Sequence, residues 1–218
     1  MSQTDSFIEE VSEEVRRDRL FALMKKYGWI AILLVVLLVG GAAYNEFRKS
    51  QQRSAAQALG DSAISALRLE DASARMAALN DIDAPTADAA GLLALLVAGE
   101  AVNGKDPAAA QAALQALAND AESAPVYRHL AELKLILAQG EDLAPQARID
   151  RLSALTGAGA PYRLQAEEQI AVAEVALGQP DAALKRLFLL LEDGEASTAL
   201  RRRVSQLIVA LGGQLEPA

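Results

Sequence analysis

The sequence predicts an all-α protein, built as a single N-terminal transmembrane helix followed by a solenoid of helical repeats. Three observations predict it. The stretch Tyr27–Tyr44 (YGWIAILLVVLLVGGAAY) contains no charge, no Asn or Gln and no Pro, and reaches the ~18 residues expected of a membrane span. Ala, Leu, Glu, Gln and Arg dominate the 218 residues, while aromatics are only 4%, which is a helix-forming composition. Beyond the apolar stretch, Pro and Gly recur at a spacing near 36 residues, and a fixed period in that range marks stacked repeats.

The first segment, 1–26, reads as a cytoplasmic N-terminal helix. Ser6-Phe-Ile-Glu9 fits a capping box, and Phe7, Val11 and Val15 then recur at four-residue spacing, the period of one helix face. Glu9, Glu10, Glu13 and Glu14 precede Arg16, Arg17 and Arg19, an order that supports a helix through i,i+3 and i,i+4 pairs. A docking helix for lipid or a partner and a solvated extension of the anchor both fit. The mixed charge favours the extension, because a membrane-surface helix carries a strong basic bias.

The span itself, 27–44, is roughly 27 Å long at ~1.5 Å per residue, slightly short of a ~30 Å hydrocarbon core. Tyr27, Trp29, Tyr44 and Phe47 sit where interfacial rings belong, and Lys25, Lys26, Arg48 and Lys49 have the reach to snorkel to the headgroups. Five basic residues (Arg16, Arg17, Arg19, Lys25, Lys26) precede the span and three (Arg48, Lys49, Arg53) closely follow it. That asymmetry predicts a cytoplasmic N-terminus. Gly41 and Ala43 would suit a signal peptidase, but the long, mixed-charge segment ahead of the span favours an uncleaved anchor. Gly40, Gly41, Ala42 and Ala43 are small enough to let another membrane helix approach, and fit equally well as the thin end of an unpartnered anchor.

A helical stalk is expected over 45–83. No Pro interrupts it, Ala55, Ala56, Leu59, Ala63, Ile64, Ala66 and Leu67 form an apolar stripe, and Asp71-Ala-Ser marks a turn before a short second helix. The repeats occupy 84–213. Ala-Pro recurs at 84–85, 124–125 and 160–161, and the phrase Tyr127-Arg128-x-x-Ala131-Glu132 returns 35 residues later as Tyr162-Arg163-x-x-Ala166-Glu167. Gly104, Gly140 and Gly178 each close a helix, and Pro107, Pro145 and Pro180 each start one, the usual asymmetry of Pro inside the start and Gly past the end. The unit is helix, tight turn, helix, close to the ~34-residue tetratricopeptide period. Alanines such as Ala131, Ala138, Ala166, Ala173, Ala182 and Ala183 suit close helix contacts, with Leu184, Leu187, Leu190 and Leu191 filling between layers. Residues 197–211 supply the terminal cap that such an array needs, with Arg201, Arg202 and Arg203 for its wet side. A tail, 214–218, follows.

These features together resemble the ancillary SecYEG translocon subunit family: a short tail, one span, a helical stalk and degenerate tetratricopeptide-like repeats. The phrase EVALGQPDAAL, Glu174 to Leu184, resembles the turn between the two helices of one repeat in that family. The likeness runs from about residue 20 to 212. It implies a bacterial inner-membrane protein, single-pass, with a periplasmic C-terminal domain that associates with Sec translocon subunits and periplasmic chaperones and assists newly exported chains. The acidic N-terminal tail is longer than in the family's named member, so no cytoplasmic role is carried over.

Chemistry is excluded more readily than binding. The chain has no cysteine and one histidine, His129, which leaves no thiolate chemistry and a single base for any triad, with no nucleophile marked nearby. A structural or solvent-facing His129 is expected, and no catalytic residue, metal, cofactor or small-molecule substrate is implied. A net charge of −8 argues against nucleic acid. Stacked repeats usually bind proteins on the surface lined by the first helix of each pair. Here that surface would draw on Tyr127, Arg128, Glu132, Tyr162, Arg163 and Glu167. Each has a plainer reading too: the tyrosines as packing, and Arg128–Glu132 and Arg163–Glu167 as i,i+4 support for their own helices. The function expected is non-catalytic: binding at the export channel, or scaffolding of another envelope assembly (division or cytochrome maturation) without client binding.

Overall fold

A computed structural model describes residues 3–215, with side chains described from Met24 onward except Ala31. Among the described residues every regular element is helical: α1 (Gln3–Leu67), α2 (Ala72–Asn80), α3 (Ala87–Asn103), α4 (Pro107–Ala118), α5 (Pro125–Gln139), α6 (Pro145–Ser153), α7 (Arg163–Ala176), α8 (Pro180–Glu192) and α9 (Thr198–Ala210). Two compact units divide after Ala58.

The first unit is the body of α1. Its stretch from Met24 is long and apolar enough to cross a membrane, and none of the described side chains up to Ala58 is buried. Trp29, Ile32 through Val39, Tyr44 and Phe47 all stand exposed, on a helix whose backbone bonds close internally. The Lys26 ammonium sits 5.3 Å from the centre of the Tyr27 ring. Helix α1 already runs at Gln3, so the capping box at Ser6 is not its start. The side chains of that segment, and the last residues of the tail, lie outside the described residues.

The second unit begins at Leu59. The end of α1 turns into α2 through Asp71, whose carboxylate accepts from the Ala74 N–H as a helix N-cap. From there each helix packs mainly on its neighbours in the chain, as nearest-neighbour stacking requires. Leu59, Ala63, Ala66 and Leu67 of α1 pack with Leu79 of α2 and with Leu93 and Val97 of α3. Ala98, Leu114, Leu117, Ala131 and Leu135 join α3, α4 and α5; Ile136, Leu152, Leu155 and Ile170 join α5, α6 and α7. The last layer joins α7, α8 and α9 through Ala183, Leu187, Leu190, Leu200, Val204 and Ile208. Pro opens α4, α5, α6 and α8. Pro161 does not: the chain makes one more turn and α7 starts at Arg163, where the Arg163 N–H donates to the Ala160 carbonyl. Ala131, Ala166, Ala173 and Ala183 are fully buried. Ala138 and Ala182 are exposed instead, because they lie on the outer sides of α5 and α8.

Candidate protein-interaction surface

A backbone feature recurs close to the helix ends. Lys105, Gly140, Gly178 and Gly212 adopt positive φ, at 58°, 52°, 74° and 82°, just past the ends of α3, α5, α7 and α9. After three of them the next N–H reaches back across the turn: Asp106 to the Ala101 carbonyl, Gln179 to Glu174 and Gly213 to Ile208, at 2.8–2.9 Å. That is the hydrogen bond of a Schellman cap. Gly104, which the spacing marks as the first of these positions, is right-handed at φ −76°. Its glycine serves another purpose: a Cβ there would lie 3.1 Å from the Ala72 Cβ. The left-handed residue is Lys105.

Counting back from these four positions aligns the helices. Four residues back, Ala101, Ile136, Glu174 and Ile208 are buried. Three residues back, Val102, Leu137, Val175 and Val209 are exposed by 62%, 50%, 39% and 59%. The positions two and six back (Asn103, Ala138, Ala176, Ala210; Gly99, Lys134, Val172, Gln206) are exposed as well. These twelve exposed positions include one charge, Lys134, in a chain that is 23% charged. Residues i, i+3 and i+4 share a helix face, so each of the four helices presents a weakly polar, aliphatic strip close to its C-terminal end.

The residues of the repeated Tyr-Arg-x-x-Ala-Glu phrase lie elsewhere. Tyr127 packs on the α3–α4–α5 cluster and Tyr162 on the α5–α6–α7 cluster, and burial pushes the Tyr162 phenol above its ordinary pKa. Arg128 and Glu132 line a cleft of about 420 Å³ beside α6; Arg163 and Glu167 line one of about 420 Å³ beside α8. The two clefts are repeat-related, since Arg151 and Leu155 of the first correspond at 35 residues to Arg186 and Leu190 of the second. Neither glutamate pairs within its own helix. Glu132 accepts from Arg151 at 2.8 Å, and Glu167 accepts from Arg186, which also bonds Glu174 at 2.7 Å. Those hydrogen bonds, Glu174's first, hold the Arg186 guanidinium pKa above its usual range. Arg163 reaches across to Asp193 and Glu195, each at 2.8 Å. The phrase therefore ties helix pairs together. His129 borders the first cleft with its Nδ1 buried and unpartnered among the described residues. Gly40, Gly41, Ala42 and Ala43 are exposed on α1.

The aliphatic strip and the arginines on α6 and α8 are absent from the sequence-based list. The strip becomes readable only once the left-handed residue of each turn is known, because the four turns are not evenly spaced.

A family model, described as the tetratricopeptide repeat-like domain, matches residues 24–159, more than half of the chain. The chain belongs to this family. Searches of curated proteins and of solved structures return no match. The register continues past the matched segment, since Gly178 and Gly212 repeat the turn and α7, α8 and α9 stack as the earlier helices do. Tetratricopeptide-type repeats typically act as non-catalytic scaffolds for protein–protein interaction, and the exposed strip is a surface of the kind such a role uses.

Proposed function

We propose that the chain is a membrane-anchored binding protein without catalytic activity, whose repeats face the periplasm and engage protein partners at the Sec export channel. The observation that carries the binding role is the aliphatic strip close to the C-terminal ends of α3, α5, α7 and α9, where Val102, Leu137, Val175 and Val209 stand exposed. Monomeric soluble surfaces seldom leave aligned aliphatic residues open without a partner. Anchoring is supported by the exposed apolar body of α1, and orientation by five basic residues before the span against three after it. The export channel, periplasmic chaperones and newly exported chains as partners are supported by the family resemblance of tail, span, stalk and repeats. Tethering would raise the effective concentration of a weak binding surface near the channel exit, with no chemistry required.

Co-purification of the full-length chain from gently solubilised membranes, with partners identified by mass spectrometry, tests this. Sec channel subunits and periplasmic chaperones are expected in the eluate. Enrichment of another envelope complex with no channel subunit would replace the export assignment by a scaffold for that assembly.

A further inference from the structure

The two repeat-related clefts differ in charge. The one beside α8 is balanced, lined by Arg163, Lys185 and Arg186 and by Glu167, Glu174 and Asp193. Its Arg163 is matched by Asp193 and Glu195, each at 2.8 Å. The one beside α6 is lined by Arg128 and Arg151, with Glu132 as its carboxylate. That leaves an excess of positive charge, in a chain of net charge −8. The carboxylates that balance the second cleft have no counterparts 35 residues earlier: Ala158 and Ala160 stand where Asp193 and Glu195 would, and Gln139 where Glu174 would. Helix α6 is also the shorter, with 9 residues against 13 in α8, so the chain has turned away before the position that Asp193 holds.

The shortfall falls on two side chains. Arg151 is occupied, donating to Glu132 at 2.8 Å and to Gln139 at 2.6 Å. Arg128, half-buried, has no hydrogen-bond or ion-pair partner among the described residues. Asp120 acts on it through charge alone, because its oxygens accept from the Ser123 hydroxyl and the Glu122 N–H. His129 stands where the second cleft's repeat has Leu164, and its Nδ1 is buried and unpartnered among the described residues. A buried polar atom left without a partner is costly. A guanidinium fork matches a carboxylate, and an imidazole can carry its proton on Nδ1 and donate it. The remaining wall includes Ala118, Ala154 and Leu155, and about 420 Å³ lies within the ~300–1,000 Å³ of small-molecule sites. Leu137 lies nine residues from Arg128, ~2.5 turns at ~3.6 residues each, so the cleft is on the side of α5 turned away from the aliphatic strip. We propose that this α4–α5–α6 cleft binds a small organic acid, its carboxylate on Arg128 and the His129 Nδ1 and its aliphatic part on Ala118, Ala154 and Leu155. The site is separate from the protein-binding strip and does not depend on it.

The single histidine makes the test direct. In the full chain in detergent micelles, ¹³C-labelled histidine gives one imidazole NMR signal, from His129. Valerate should shift that signal saturably at pH 7, and pentanamide, with the same aliphatic part and no charge, should not. Arg128→Gln should weaken valerate binding by about tenfold or more while the thermal midpoint stays put, since the fold gives Arg128 no partner. Ala154→Glu, at the exposed rim, should supply an internal carboxylate and cause a similar loss. Lys134→Gln, on the far side of α5, should leave binding unchanged. No saturable shift with valerate would overturn the proposal, as would an equal response to pentanamide or undiminished binding to Arg128→Gln. A polyglutamate peptide that saturated the signal where valerate did not would overturn the small-acid assignment, by placing a protein carboxylate in the cleft.

Discussion

Lys105 carries a strain that its neighbours in the register avoid. Gly178 and Gly212 take the Schellman turn without a Cβ, whereas Lys105 takes it with one, at φ 58°. For an L-residue that conformation costs ~1–2 kcal/mol, partly returned by the greater entropy that glycine loses on folding. Lys105→Gly should therefore raise the thermal midpoint, by ~2–4 °C for a net gain of ~1 kcal/mol in a chain of this size. Circular dichroism melts would check it, and a lowered midpoint would mean that the Lys105 side chain contributes more than its backbone costs. The same pair of residues shows where sequence reading runs short. Glycine spacing marks Gly104, which does close α3 as its C-cap in tight approach to Ala72, but spacing does not reveal that the positive φ falls on Lys105. The repeated tyrosines illustrate the same limit. Their spacing marks a repeat, and Tyr127 and Tyr162, both half-buried, pack against the helix clusters with part of each ring left open.

Between elements, the arginine–carboxylate pairs act as ties across helix boundaries. Arg75–Glu100 joins α2 to α3, Arg151–Glu132 joins α6 to α5, Arg186–Glu174 joins α8 to α7, and Arg203–Glu168 joins α9 to α7. Glu168 and Glu174 are buried polar residues among otherwise apolar helix contacts, and their guanidinium partners are what makes that burial tolerable. The start of α7 is held differently, by Arg163 on the α8–α9 loop. The Arg163 hydrogen bond, followed by the Glu195 N–H, holds the Asp193 carboxyl below its usual pKa. Asp71 and Asp120 are lowered too, first by the hydroxyls of Ser73 and Ser123 and then by the N–H groups of Ala74 and Glu122. A carboxylate whose folded pKa is depressed stabilises fully above its unfolded value, ~3.9, and loses that contribution as pH falls through the folded value. Arg163, Arg186 and Arg203 are shifted upward, so their contributions persist through the acid range. Asp193→Asn should lower the midpoint at pH 7, and the gap to wild type should close as both are titrated below about pH 4. A gap that persisted unchanged to pH 2 would show that the loss came from packing and not from charge. Proline positions made most of these helix starts legible in the sequence. The ties were not, because each partner sits on a different helix, and no local spacing brings Arg186 to Glu167 and Glu174.

For the molecule as a whole, the most legible feature was α1, whose apolar run stands out by length alone, and the least legible was which side of a membrane the repeats occupy. A margin of five basic residues to three is small, and long domains cross membranes largely irrespective of their own charge. The topology proposed above can be tested directly because the chain has no cysteine, so any introduced thiol is unique. Asn103 is exposed on the strip, and Ser12 precedes the span. In intact bacteria with a permeable outer membrane, Asn103→Cys should react with a membrane-impermeant maleimide, and Ser12→Cys should react only after lysis. The reverse pattern would invert the anchor and place the aliphatic strip among cytoplasmic partners. Labelling of both thiols only after lysis would put the repeats in the cytoplasm and remove the route to newly exported chains. The strip itself would survive either result, since it follows from turn register and packing within the repeat unit, so the same four helices would then need a partner on the other side.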